Sequence, residues 1–263
     1  MDLLIVTTAS FLLVVLAFVV LVNTSHTSII DFVWCLGVTA AGIFYAIYPE
    51  GEITSRGWHI IVLHLLWFSR LGGMILYRTL VLEKEDGRYR RLRDSWGDKY
   101  RQRLFRFYLF QGVGITLFSL PAWSALQFQT ELSAFGIFGG ALCLVGTIGA
   151  FASDWTLTAF RNAQENAGQV CRTGLWRYSR HPNFFFEWLY WLGLAVLGFD
   201  GLHSIWIFVF PVMVLIFLLF ITGVPTVEAQ ALRSREQAYR EYQQTTSVFI
   251  PWFPKTLPED SAE

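Results

Sequence analysis

Residues 174–199 read GLWRYSRHPNFFFEWLYWLGLAVLGF, and in this run basic, amide and carboxylate side chains directly precede a long apolar stretch. The stretch 184–199 is apolar and aromatic enough to enter a lipid bilayer as a helix. Asn183 would then lie near the membrane surface, and Glu187 about one helical turn inside it. Because an ionisable group at that depth usually faces a cavity or a partner, Glu187 is a candidate site residue. Its nearby candidate partners are Arg177, Arg180 and His181.

The composition is that of an integral membrane protein. Of the 263 residues, 54% are hydrophobic, 17% are aromatic and only 15% are charged, whereas soluble domains have about 25% charged residues. The net charge is zero, and nothing in the charge pattern indicates a nucleic-acid partner. The three cysteines have neither metal-ligand nor redox spacing. No metal site is therefore predicted.

Apolar spans of about 20 residues, the length that crosses about 30 Å of hydrocarbon as a helix, occur seven times. They cover residues 3–22, 28–48, 58–82, 107–127, 132–153, 184–200 and 203–225. No linker or repeat divides the chain. The sequence therefore predicts an all-α, polytopic membrane helix bundle of about seven transmembrane helices, which forms a single domain over residues 1–263.

The charged loops predict how the chain is oriented. The basic segments 83–106 and 154–183 and the tail after residue 224 lie on one side of the membrane if every span crosses. Lysine and arginine favour the cytoplasmic side, so we expect the N-terminus outside and the C-terminus in the cytoplasm. We expect a multi-pass integral membrane protein. Residues 228–242 have the composition of an amphipathic helix on the cytoplasmic surface.

Several motifs together resemble a known family. They are GLWRYSRHPNFFFEW at 174–188, AYREYQQTTSVFIPWFP at 238–254, DFVW at 31–34, RLGG at 70–73 and KEDGRY at 84–89. In these motifs the chain is similar, over nearly its whole length, to bacterial membrane proteins of the DUF1295 type, which are grouped with steroid 5-alpha-reductases. The RYSRHPN motif with a downstream glutamate is specific to the superfamily but not to one reaction. Isoprenylcysteine carboxyl methyltransferases and sterol C14 reductases have related C-terminal halves.

The resemblance implies an NADPH site that opens to the cytoplasm, within a cofactor half at about 107–254. The positions that match cofactor-lining positions of such reductases are Asp154, Arg161, Tyr178, Asn183 and Glu187, with Arg88 matching more loosely. The physical chemistry agrees, because arginine forks bind phosphate oxygens in pairs and an amide can hold a carboxamide. For this reason the predicted cofactor set also includes the basic residues Arg172, Arg177, Arg180 and His181. The GxGxxG fingerprint of soluble dinucleotide-binding folds is missing.

The leading functional hypothesis is NADPH-dependent reduction of a double bond in a lipophilic substrate, steroid-like or a lipid enone, that enters from the bilayer. Hydride would be delivered near Asn183 and Glu187. Candidates for the acid that stabilises charge on the substrate are Tyr77, His64 and Glu52. The chain departs from the reductase pattern, since Trp67 stands where those enzymes have a tyrosine and Phe186 where relatives have a glycine. Cofactor binding is therefore better supported than steroid reduction.

Other interpretations stay open. The chain could be an S-adenosylmethionine-dependent methyltransferase of the isoprenylcysteine type, or a non-enzymatic lipid-binding or transport protein. The arginines of 83–106 could be anchors on lipid phosphates rather than cofactor ligands. Asp154 could pair with Arg161, and the histidines at 59 and 64 could be satisfied core residues.

Overall fold

The computed structural model describes residues 1–24, 26–48, 52–81, 87–127 and 132–256. Within these ranges the chain is α-helical, and its one β-bridge joins Ser179 and Ser247. The all-α prediction is confirmed. The helices of the described ranges are α1 Asp2–Leu21, α2 Ile29–Ile47, α3 Ser55–Leu76, α4 Gly87–Trp96, α5 Tyr100–Gln127, α6 Ala134–Asn162, α7 Pro182–Leu197, α8 Val209–Ile216 and α9 Val224–Thr245.

Six helical stretches in the described part of the chain are long and apolar enough to cross a membrane. They are Asp2–Leu21, Ile29–Ile47, Ser55–Val81, Tyr89–Gln127, Ala134–Asn162 and Leu202–Thr245. The apolar run of the last stretch ends at Ile221, and the charged helix α9 follows it. The prediction of a polytopic membrane protein is confirmed, but the count of about seven spans exceeds these six by one. The difference lies in the predicted span 184–200, where α7 has only 16 residues. Such a helix is about 24 Å long, shorter than a hydrocarbon layer of about 30 Å.

Local sequence signals account for where several helices begin and end. Thr54 caps α3, since its hydroxyl accepts a hydrogen bond from the backbone N–H of Gly57 at 3.1 Å. Pro182 occupies the first position of α7, where a missing N–H has no helical partner to lose. Pro121 lies inside α5 without ending it. The predicted tail helix 228–242 is found within α9, which has a kink at Arg235.

The chain divides into two compact units. The first consists of Met1–Gly136 and Gly198–Ser204. In it α2 packs against α1, α3 and α5. Trp67, Tyr108 and Ile115 are among its largest fully buried side chains, and their burial supplies the hydrophobic stabilisation of these helices.

The second unit consists of Ile137–Leu197 and Ile205–Glu263. Glycines let α6 and α7 approach closely. A Cβ atom on Gly146 would lie 2.7 Å from backbone atoms of Phe186 and Tyr190, and one on Gly193 would lie 2.7 Å from the Cys143 backbone. This contact fixes the start of α7, and with it Asn183 and Glu187, against α6.

Candidate functional site

The C-terminal tail holds the segment that leads into α7. The backbone N–H of Arg180 donates to the Ser247 carbonyl at 2.8 Å. The Ser179 hydroxyl donates to the Phe249 carbonyl at 2.7 Å. The buried Tyr242 hydroxyl donates to the carbonyls of Trp176 and Ser179. These bonds fix the backbone immediately before Asn183, so the position of that side chain depends on the tail.

A single carboxylate on α9, that of Glu228, collects the polar groups of this segment. Its Oε1 accepts from Arg180 Nε at 2.8 Å, from His181 Nε2 at 3.1 Å and from the Tyr239 hydroxyl at 3.3 Å. Its Oε2 accepts from Gln243 Nε2 at 2.7 Å. The side chains of Arg180 and Glu228 are only 11% and 15% exposed. This is therefore a largely buried, multiply hydrogen-bonded ion pair, which joins the segment to the tail.

The protonation states in this cluster follow from its contacts. Burial would raise the pKa of Glu228, but hydrogen bonds from His181, Arg180 and Gln243 outweigh it and lower the pKa to about 2. Burial lowers the pKa of His181, and the nearby carboxylate only partly offsets this. The imidazole is therefore neutral at pH 7. Because the Glu228 carboxylate can only accept a hydrogen bond, Nε2 is the nitrogen of His181 that carries the proton.

Asn183 and Asp154 meet where α7 begins beside α6. The Asn183 Nδ2 donates to the Asp154 Oδ1 at 3.1 Å. Since an ionised carboxylate is an acceptor only, this contact fixes which end of the amide faces Asp154. The Asn183 Oδ1 is buried and has no hydrogen-bond partner among the described residues. A buried carbonyl oxygen in this position is an acceptor available to a ligand that carries an N–H or O–H group.

Glu187 lies one turn further along α7 and is directed at protein. Its Oε1 accepts from the indole Nε1 of Trp191 at 3.1 Å, and Trp191 is only 2% exposed. The neighbouring Phe186 packs against α6, where a Cβ on Gly149 would meet its ring at 2.3 Å. Phe186 therefore fills the space between α6 and α7 at Gly149.

The predicted basic residues separate into groups. Arg161 and Arg177 are exposed. Arg172 donates to the Ala238 carbonyl at 2.8 Å and lies over the Tyr242 ring, so it is bound to α9. Tyr178 is half-buried, and its ring contacts that of Phe253. Arg180 and His181 both bind Glu228. The side chain of Arg88 lies outside the described residues.

The three candidates for a proton donor, Glu52, His64 and Tyr77, belong to the first unit. Glu52 and Tyr77 are exposed. His64 is fully buried in α3, and its Nδ1 contacts the Ile60 carbonyl at 3.0 Å, as expected for a core histidine. His59 is exposed, which contradicts the expectation that it is a core residue.

Sequence reasoning missed Glu228, whose carboxylate accepts four hydrogen bonds from described side chains. Its partner Arg180 is 48 positions away, and no local pattern signals a pair that forms only in the fold. A usable signal was present. Glu228 is a lone acid only four residues after Val224, where α9 begins beyond an apolar run. A carboxylate so close to an apolar run needs a partner.

One comparison with known proteins identifies a family. The model of the family described as "Protein of unknown function (DUF1295)" matches residues 17–246. This match covers most of the chain and includes Asp154, Asn183, Glu187 and Glu228. No curated protein and no solved structure matches the chain.

Proposed function

This chain belongs to the DUF1295 family, and from that premise we propose that it is an integral membrane oxidoreductase that uses NADPH to reduce a double bond in a lipophilic substrate. The substrate class is steroid-like or a lipid enone, which reaches the enzyme from the bilayer. The single observation that carries the proposal is the amide of Asn183, held by Asp154 at 3.1 Å with its carbonyl oxygen buried and unpartnered among the described residues.

The nicotinamide carboxamide suits this acceptor. An unpaired buried carbonyl is unfavourable by about 1–3 kcal/mol, and a ligand N–H that reaches it removes that penalty. The amide is held on one side by Asp154, and its backbone is fixed by the tail. It therefore loses little freedom when a ligand binds, which favours affinity.

Exposed arginines of the same unit suit the phosphates. Arg161 lies in the last turn of α6 and Arg177 precedes α7, and both are exposed to solvent. Their guanidinium forks can each bind two phosphate oxygens. Arg180 and His181 bind Glu228, and through it they join the segment before α7 to α9. We assign these two residues to holding the site and Arg161 and Arg177 to binding the cofactor.

NADPH, when bound, supplies a hydride to one carbon of the double bond. The other carbon must then gain a proton, which the chain or water has to deliver. The proposed donors remain Tyr77, His64 and Glu52, because each carries or can carry an acidic hydrogen. The role proposed for Asn183 and Glu187 is to position the ring and exclude water rather than to transfer protons.

The proposal is tested by ligand-induced thermal stabilisation of the purified protein in nanodiscs. NADPH should raise the unfolding temperature of the wild type, and Asn183→Leu should weaken that effect by at least about tenfold in NADPH concentration, since loss of one buried hydrogen bond corresponds to about 1.4 kcal/mol. Gln237→Leu, which removes an exposed amide from α9, is the matched control and should behave as the wild type.

The same assay separates the alternatives. Stabilisation by S-adenosylmethionine and not by NADPH would replace the proposal with a methyltransferase. If neither nucleotide stabilises the protein, a non-enzymatic lipid-binding role takes its place.

A further inference from the structure

The segment that follows α9 presents an exposed apolar surface. Ile250, Trp252 and Phe253 are 59%, 69% and 76% exposed, and these three residues are called the tail patch below. Large apolar side chains that are exposed together mark a surface that meets a partner or a membrane.

The tail patch is held firmly rather than left loose. The backbone N–H of Trp252 donates to the Tyr178 carbonyl at 2.8 Å, and that of Lys255 donates to the Thr245 carbonyl at 2.8 Å. Phe249, which lies in the sequence between the end of α9 and Trp252, is buried. Its ring contacts those of Phe185 and Trp188 of α7. The segment therefore keeps one side against α7 and turns the tail patch the other way.

The position of α7 sets the depth of the tail patch relative to the membrane. Trp252 is hydrogen-bonded to Tyr178, four positions before the first residue of α7. Because α7 is about 24 Å long, less than a hydrocarbon layer of about 30 Å, its first turn lies at or inside the edge of the hydrocarbon if α7 crosses the membrane. The residues attached just before that turn then lie in the headgroup layer.

The chemistry of the tail patch suits that layer. Tryptophan is enriched where hydrocarbon meets headgroups, because its ring is apolar and its N–H can reach an ester or phosphate oxygen. Lys255 follows the patch and is exposed. Cations beside apolar rings match the phosphate groups and upper acyl chains of a phospholipid surface.

We propose that the tail patch inserts into the headgroup–acyl boundary of the phospholipid bilayer and so keeps the segment before α7 at the membrane surface. The partner is the lipid surface itself, rather than a second protein. This assignment does not depend on which cofactor the chain binds.

The test places a nitroxide label at the patch and measures its depth in nanodiscs. Separate variants Trp252→Cys and Phe253→Cys are labelled, since the native cysteines at 35, 143 and 171 are buried. Gln237→Cys on the exposed face of α9 gives the value for water, and Val145→Cys on the exposed apolar face of α6 gives the value for acyl chains. Power saturation with oxygen and with a water-soluble nickel chelate reports the depth of each label.

The labels at 252 and 253 should have oxygen-to-nickel accessibility ratios above the ratio at 237 and below the ratio at 145. Equal ratios at 252, 253 and 237 would place the tail patch in water and overturn the proposal. Dipolar broadening that disappears on dilution with unlabelled protein would instead identify a second copy as the partner, and would overturn it equally. Labelling at two positions guards against a local disturbance by either substitution.

Discussion

Several polar contacts of the second unit converge on Glu228. Its substitution should therefore lower the free energy of unfolding. In Glu228→Gln the side chain keeps its size but Arg180 loses its counter-ion in a largely buried position. We expect a loss of about 2–4 kcal/mol in the free energy of unfolding, measured by denaturant unfolding in detergent. The control is Glu236→Gln, whose ion pair with Arg240 is exposed and should contribute less than about 1 kcal/mol.

The same carboxylate predicts how stability depends on pH. The pKa of Glu228 is lowered in the folded protein from 4.5 to about 2, so its contribution is complete above pH 4.5 and is lost as the pH falls toward 2. The pKa of His181 is also lowered, from 6.5, so below pH 6.5 the unfolded chain takes up that proton more readily than the folded one.

Both groups therefore make the fold less stable in acid. The unfolding temperature of the wild type should fall as the pH is lowered from about 7 to about 3, and it should fall less steeply in Glu228→Gln than in the wild type. An identical pH dependence in the two proteins would show that Glu228 is not the responsible group.

Arg161 allows the phosphate assignment to be tested at a single exposed residue. Arg161→Ala should weaken NADPH binding about tenfold, because it removes charge-assisted hydrogen bonds to phosphate. Isothermal titration gives the affinity. Arg240→Ala removes an exposed arginine from α9 and serves as the matched control. Equal affinities in the two variants would remove Arg161 from the site.

At the scale of elements, the contact between α6 and α7 depends on glycine. A Cβ on Gly146 would lie 2.7 Å from backbone atoms of α7. Those backbone atoms cannot move away unless α6 and α7 separate. Gly146→Ala should lower the unfolding temperature clearly. Gly73→Ala in α3 is the control, because no atom lies within 4 Å of its added Cβ and alanine favours a helix over glycine. If both variants unfold at the same temperature, close packing at Gly146 is not important for the fold.

Most helices could be predicted from the sequence, because an apolar run of about 20 residues has one stable conformation in hydrocarbon. The amphipathic tail helix was also predictable from its helix-forming residues. The number of spans could not be predicted, because hydropathy does not show that α7 ends at Leu197, within the predicted span 184–200. Nor could hydropathy show that Pro121 is accommodated inside α5.

At the scale of the whole molecule, the candidate site is built from residues that are distant in sequence. Sequence analysis, through the family resemblance, singled out Asp154, Asn183 and Glu187, and the first two are in direct contact. It also selected Arg180 and His181, but their shared partner Glu228 is supplied by α9 and could be found only in the fold. The proton donor stays a prediction, because Glu52, His64 and Tyr77 were chosen for their chemistry alone.

The central claim is that the amide of Asn183, together with Arg161 and Arg177, holds NADPH. Native mass spectrometry of the protein released from its own membrane, without added nucleotide, tests this most directly. The account predicts a bound mass equal to NADPH or its oxidised form in the wild type, lost in Asn183→Leu but retained in Gln237→Leu. A bound mass of S-adenosylmethionine, or a nucleotide retained equally by all three proteins, would contradict it.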